Sequence, residues 1–268
     1  MTMTRPQGAA PAGASAGDVF AVAAGLVSRL VESQLDALAA AADLLASRLL
    51  AGGSVYVFGT GHSRAIAMEL AGRAGGLAGM KELVLDDLVA SGRATKEELM
   101  DGTLERQPDA ASALLEAVPM APGDAFIVVS HSGCNGAPVE MAMSARRAGL
   151  PVVAITSLEH SRAVVSRHPS GLRLHEVATL CVDTCAPYAD TAIRLPSQLG
   201  VCSVSSFSGV LLAQALTAEI VGRYLQAGVT PPLLVSRNLP GCQAGTAAPG
   251  PILGRSVPGT TPATGPAL

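Results

Sequence analysis

Two serines, a histidine and an asparagine surround one glycine in the run Ser130-His131-Ser132-Gly133-Cys134-Asn135, directly after the apolar stretch Ile127-Val128-Val129. A second small loop, Gly59-Thr60-Gly61-His62-Ser63, follows Val55-Tyr56-Val57-Phe58 in the same way. Each loop leads into helix-like sequence. A strand, a small polar loop and a helix N-terminus together present backbone N–H groups to an anion. The glycines let the chain turn sharply and let a ligand approach the backbone. Two such loops predict one site between them, and their hydroxyls fit a phosphorylated polyol. A plain β–α turn with helix caps uses the same residue types, so the pairing of the loops is the informative feature. Neither loop is a nucleotide motif. The third glycine of a dinucleotide fingerprint falls on Arg64, and no P-loop Gly-Lys-Ser/Thr ending is present.

Elements that could carry these loops are legible on either side. Strand-like runs fall at Val55–Phe58, Lys81–Leu85, Ala125–Val129, Val152–Thr156 and Thr179–Val182. Those at 55, 125 and 152 are almost continuously apolar, as in strands covered on both faces. Helical patterns lie at Ser63–Ala74, Ala110–Val118, Ala137–Ala148, His160–His168 and Ser205–Ala227. A further apolar stripe runs from Asp18 to about Leu50 and stops at Gly52-Gly53. An amphipathic helix that long commonly packs on a partner subunit. Alternating strands and helices predict a parallel sheet with right-handed crossovers. In such a sheet ligands bind beyond the carboxyl ends of the strands, where strand order reverses. Residues 1–17 read as a disordered leader, 18–239 as one domain, and 240–268 as a disordered Pro/Gly/Ala-rich tail.

Composition narrows the function classes. The 268 residues carry 49% apolar and 15% charged residues, with a net charge of −3. A nucleic-acid surface needs a basic stripe, and none is visible. Backbone N–H groups and hydroxyls must therefore hold an anionic ligand. Five cysteines at 134, 181, 185, 202 and 242 lack a four-ligand zinc spacing. They read as free thiols in a reducing cytoplasm. No metal or cofactor is expected. Phe207–Leu225 comes nearest to a membrane span, but Glu219 and Arg223 interrupt it.

The two loops together carry a family resemblance. The pattern S-x-S-G-x-N after one buried strand, preceded by F-G-x-G-x-S after an earlier one, resembles the sugar isomerase (SIS) domain. Further segments resemble one stand-alone bacterial branch of that family. They include R-A-G-G-L at 73–77, T-L-E-R at 103–106, N-G-A-P-V-E-M-A at 135–142, T-S-L-E-H-S at 156–161, S-R-H-P-S-G at 166–171 and G-V-T-P-P-L at 228–233. The match extends over about residues 19–238. It implies a flavodoxin-like α/β sandwich with a five-stranded parallel sheet, a homodimer or higher homo-oligomer, and a sugar 6-phosphate ligand, often an amino sugar. Members include phosphosugar isomerases, an etherase acting on N-acetylmuramic acid 6-phosphate, dehydratase-type lyases and sugar-sensing regulators. By position, the resemblance implies that Ser130, Ser132 and Asn135 hold phosphate, with His131 among the substrate-binding residues of the same loop. Thr60 and Ser63, with Gly61 between them, hold sugar or phosphate oxygens, the sugar end being favoured, and Ser205 with Ser206 completes the site. The branch commonly has Asn at position 131 and Arg at position 134, so Cys134 implies one cationic contact fewer.

Isomerisation and β-elimination of an aldose both begin with loss of the C2 proton, which requires a base near the sugar carbons. Glu69, six residues past Ser63, could face the cleft from the first helix. His62 lies in the loop itself. His160 and His168 are eight apart, which places them on roughly one face if one helix carries both. Glu219 lies in an otherwise apolar helix, where a carboxylate requires a partner or a role. Glu105-Arg106 reads as an ion pair, Glu140 as a helix-face residue and His175-Glu176 as a solvated pair. The resemblance favours a lyase on an N-acetylamino-sugar 6-phosphate over an aldose–ketose isomerase. The alternative from another class is a non-catalytic phosphosugar sensor.

Overall fold

The computed structural model describes residues 14–236 and 238. In chain order the elements are α1 (Ala16–Leu50), β1 (Val55–Gly59), α2 (Arg64–Leu70), β2 (Met80–Leu83), α3 (Asp86–Ala90), α4 (Lys96–Met100), α5 (Thr103–Arg106) and α6 (Pro108–Leu115). They continue with β3 (Ala125–Val129), α7 (Gly136–Arg147), β4 (Val152–Thr156), α8 (Leu158–Ala163), α9 (Leu174–Val177), β5 (Leu180–Asp183), β6 (Ile193–Arg194), β7 (Gly200–Val201) and α10 (Ser205–Gln226).

Five strands pair in parallel in the order β2-β1-β3-β4-β5. Every residue of β1, β3 and β4 is buried, because helices cover both faces of the sheet. Alternation along β1 divides the core. Val55 and Val57 pack with Leu45, Leu70, Leu212 and Leu216 from α1, α2 and α10. Tyr56 and Phe58 pack with Leu114 and Met141 from α6 and α7 on the opposite face. The fold is the expected five-stranded α/β sandwich with a long leading helix. Its strand order reverses between β1 and β3, so the two small loops emerge side by side at the switch point.

Ser15 caps α1 by accepting from Asp18 N–H at 3.2 Å. The helix thus starts inside the segment read as leader. Residues 1–13 and the tail from 240 lie outside the described residues. Of the described helices, Ser205–Gln226 is long and apolar enough to cross a membrane. Its apolarity has a local cause here, because Leu212, Ala213, Leu216 and Ile220 are buried against α1, α2 and the sheet.

Two local expectations are corrected. The helix read over His160–His168 ends at Ala163, and Val164 is extended (φ −113°, ψ 153°). Val164 and Val165 are β-branched and unfavourable to helix, so His168 lies in a loop. The stretch between β2 and β3, where only Ala110–Val118 was read as helical, holds four short helices. α4 is set by a capping box between Thr95 and Glu98. The β6–β7 ribbon had no counterpart in the sequence reading.

Candidate functional site

The two loops meet directly. His131 N–H, from the β3 loop, donates to Ser63 Oγ, from the β1 loop, at 3.3 Å. Around the β3 loop the carbonyls are drawn outward into structure. His131 O accepts from Thr156 Oγ1 and Ser157 N–H, both at 3.1 Å. Gly133 O and Cys134 O accept from Leu174 N–H and Arg167 N–H, each at 2.8 Å. The N–H groups of His131, Gly133 and Cys134 turn to the hydroxyls of Ser63, Ser130 and Ser132, and the first N–H groups of α7 have no partner within the helix. Gly133 sits at φ +60°, and a Cβ there would lie 2.9 Å from Ser161 Oγ. Only glycine lets the loop turn this tightly.

Arg167 reaches the same loop. Its Nη1 donates to Asn135 Oδ1 at 2.6 Å and lies 3.2 Å from Cys134 Sγ. A guanidinium thus lies beside position 134, brought from 33 residues downstream. Arg167 carried no signal in the sequence, because it falls within the helix expected over His160–His168, which ends five residues early at Ala163. Asn135 in turn donates from Nδ2 to Glu105 Oε1 at 3.0 Å. Glu105 is therefore not an ion pair with its neighbour Arg106, as expected, but a ligand of the β3 loop. A cavity of about 290 Å³ opens beside these residues, lined by Thr60, Gly61, Leu85, Leu99, Met100, Asp101, Gly102, Glu105 and Arg106.

On the other side of the β3 loop lies an aromatic stack. The rings of His131 and His160 are 4.7 Å apart, and those of His160 and Tyr188 are 5.2 Å apart. His160 Nδ1 accepts from Ala189 N–H at 3.0 Å. Both ring nitrogens of His131 are buried without a hydrogen-bond partner. Burial pushes the pKa of His131 below the usual imidazole value, and neighbouring His160 adds to this, against the opposing pull of Asp190 and Asp183. Burial lowers His160 as well, against Asp190 and Glu159. Asp190 also caps α10. Its Oδ1 accepts from Val204 N–H at 3.0 Å and Ser205 N–H at 2.7 Å, and its Oδ2 from Ser205 Oγ at 2.6 Å. Asp190 itself adopts a positive φ of 56°.

A model of the SIS domain matches residues 19–157, more than half of the chain. A UPF0309 protein of Caldanaerobacter subterraneus subsp. tengcongensis is 36% identical over 221 residues, covering 81% of this chain and 88% of that protein. The chain belongs to the SIS domain family. Another UPF0309 protein, from Halalkalibacterium halodurans, is 36% identical over 217 residues, with 81% and 88% of the two chains covered. Among solved structures, a phosphoheptose isomerase from Francisella tularensis aligns with a TM-score of 0.54 at 16% identity, covering 76% of this chain and 95% of that one. That likeness shows the shared fold.

The SIS domain brings some of the nominated residues together and separates others. Thr60, Gly61, Ser63, Ser130, His131, Ser132 and Asn135 all lie on the two joined loops. Ser130 Oγ accepts from Gly133 N–H at 3.1 Å, and Cys134 N–H points at Ser132 Oγ at 3.5 Å. Ser205 and Ser206 open α10, with Ser205 held by Asp190. His62 is exposed on the turn after β1, while His160 reaches the β3 loop through His131.

Glu69 is taken up by an ion pair with Arg73 and by Gln214 Nε2 at 2.7 Å. His168 is buried against α7, where its Nδ1 accepts from Ser170 N–H at 3.1 Å and its Nε2 donates to Glu140 Oε2 at 2.8 Å. Burial alone would raise the Glu140 pKa, but its bonds to Ser144, His168 and Arg147 hold it below the usual range. Glu219 pairs with Arg223, which also bonds Asp43 at 2.8 Å. That pair lies about 21 Å along α10 from Ser205, at 1.5 Å per residue. Among the described residues no three His, Cys, Asp or Glu side chains group as a metal site.

Proposed function

We propose that this SIS domain binds a sugar 6-phosphate at the β1–β3 switch point and does acid/base chemistry on it, in the cytoplasm, without a cofactor. One observation carries the reading. Two loops of hydroxyls and N–H groups are bonded to each other through Ser63 and His131, with the Arg167 guanidinium anchored on the second. Phosphate fits the Ser130–Asn135 cradle, where N–H groups, the N-terminus of α7 and one cation converge. The sugar fits against Thr60, Gly61 and Ser63, beside the cavity. Ser205 and Ser206 close the site from α10.

The substrate we favour is an N-acetylamino-sugar 6-phosphate, and the reaction a lyase-type elimination begun by loss of the C2 proton. Aldose–ketose isomerisation shares that first step. A homodimer is part of the same reading, because Val31 and Leu35 on α1 are 55% and 57% exposed, an apolar face that a second copy would cover.

Calorimetric titration with N-acetylglucosamine 6-phosphate, glucose 6-phosphate and the two unphosphorylated sugars tests the reading. Binding of a phosphorylated member and none of its free counterpart is expected, with an unsaturated product or a ketose seen by NMR. Equal binding of the free sugars overturns the phosphate assignment. Binding without any turnover leaves a sensor.

A further inference from the structure

We infer that Glu105 is the carboxylate that takes the sugar C2 proton, an assignment that rests on the phosphosugar reading above. Glu105 stands on α5, in the crossover between β2 and β3, yet its side chain bonds the β3 loop and faces the β1 loop across the cavity. Oε1 accepts from Asn135 Nδ2 at 3.0 Å. Oε2 lies 3.3 Å from where a Cβ on Gly61 would stand, and Gly61 has φ +53°. A side chain at position 61 would crowd the carboxylate, so glycine leaves it room there. The group lines the cavity together with Thr60 and Gly61, on the sugar side of the phosphate cradle.

The competing carboxylates are committed elsewhere. Glu69 is held by Arg73 and Gln214, Glu140 by Arg147, Ser144 and His168, and Glu219 by Arg223. Asp101 also lines the cavity, but it is exposed and accepts from Thr103 N–H at 2.8 Å. Of Glu105, Oε1 is fixed by Asn135, and Oε2 has no protein partner among the described residues. A base needs one oxygen positioned and one free, and this arrangement provides both. Asn135 joins the two functions, since Arg167 fixes its Oδ1 and its Nδ2 fixes Glu105.

The step balances without an oxidant or reductant. Oε2 forms a bond to the C2 proton. The C2–H electron pair becomes the C1–C2 double bond, and the carbonyl pair moves onto O1. Return of the proton to C2 restores the sugar, and exchange of the Glu105 proton with solvent labels it.

The test is the full chain in deuterated water with N-acetylglucosamine 6-phosphate and glucose 6-phosphate, followed by NMR. Glu105→Gln keeps an oxygen to accept from Asn135 and loses the base. It should bind the same phosphosugar within about threefold of wild type, while deuterium entry at C2 falls about 100-fold or more. Glu69→Gln should exchange within about threefold of wild type. Wild-type-like exchange by Glu105→Gln overturns the assignment. So does loss of its binding together with exchange, which would make Glu105 a positioning residue. Wild type that binds but never exchanges overturns Glu105 and leaves the phosphosugar site standing. Wild type that binds neither phosphosugar overturns both.

Discussion

Arg167 Nη1 donates to Asn135 Oδ1 at 2.6 Å, which ties a loop after α8 to the N-cap residue of α7. An N-cap asparagine ordinarily turns its side chain onto the helix N–H groups. Here the side chain makes no such bond. It is stretched between a guanidinium and the Glu105 carboxylate, and the N–H groups of Gly136 and Ala137 receive no cap from it.

Arg167→Ala should therefore weaken a sugar 6-phosphate by about 10- to 100-fold, in line with about 1.5–3 kcal/mol for a hydrogen bond to a charged group. Affinity for inorganic phosphate should fall in parallel. Calorimetry on wild type and variant decides it, and unchanged phosphate affinity would remove Arg167 from the site.

The glycine at the cradle gives a second expectation. Gly133→Ala puts a Cβ 2.9 Å from Ser161 Oγ and 3.0 Å from Thr156 Oγ1 at a positive φ. Destabilisation of about 1–3 kcal/mol follows, read as a lowered urea midpoint. A variant as stable as wild type would mean that the loop has a second conformation free of this contact.

Stability should fall in mild acid. Burial depresses His131 and His160 below the 6.5 of an ordinary imidazole. As pH falls, the unfolded chain takes up these protons first, so protons favour unfolding. The contribution is complete above about pH 6.5 and is lost below it as pH falls toward the folded-state values. Thermal melts from pH 8 to pH 5 should show this slope, and His131→Asn should flatten it. An equal slope in the variant would place its origin in other groups.

The apolar face of α1 predicts association. Leu35→Asp should shift the protein from dimer to monomer by light scattering without unfolding it. A wild type already monomeric at micromolar concentration would refute the dimer.

Glu219→Gln should leave phosphosugar exchange within about twofold, because the Glu219–Arg223–Asp43 cluster is remote from the loops. A large loss of turnover with normal stability would show that a second copy brings Glu219 to the site.

The sequence by itself determined the sheet and the two small loops at its switch point. Val55–Phe58, Ala125–Val129 and Val152–Thr156 are apolar at nearly every position because both faces are covered, and that pattern is local. The Gly, Ser and Asn residues of the two loops are equally legible, since sharp turns and helix starts restrict residue type at fixed spacing. Tertiary structure decided which charged groups reach those loops. Arg167 and Glu105 arrive from segments 32 and 30 residues away along the sequence, and Asp190 reaches the start of α10 from 15 residues away. Their side chains obey no periodicity that marks them. Glu69, well placed by helical spacing, was instead drawn to Arg73 and Gln214. Backbone pattern follows from neighbouring residues, whereas a side-chain partner is chosen by what the folded chain brings within about 3 Å.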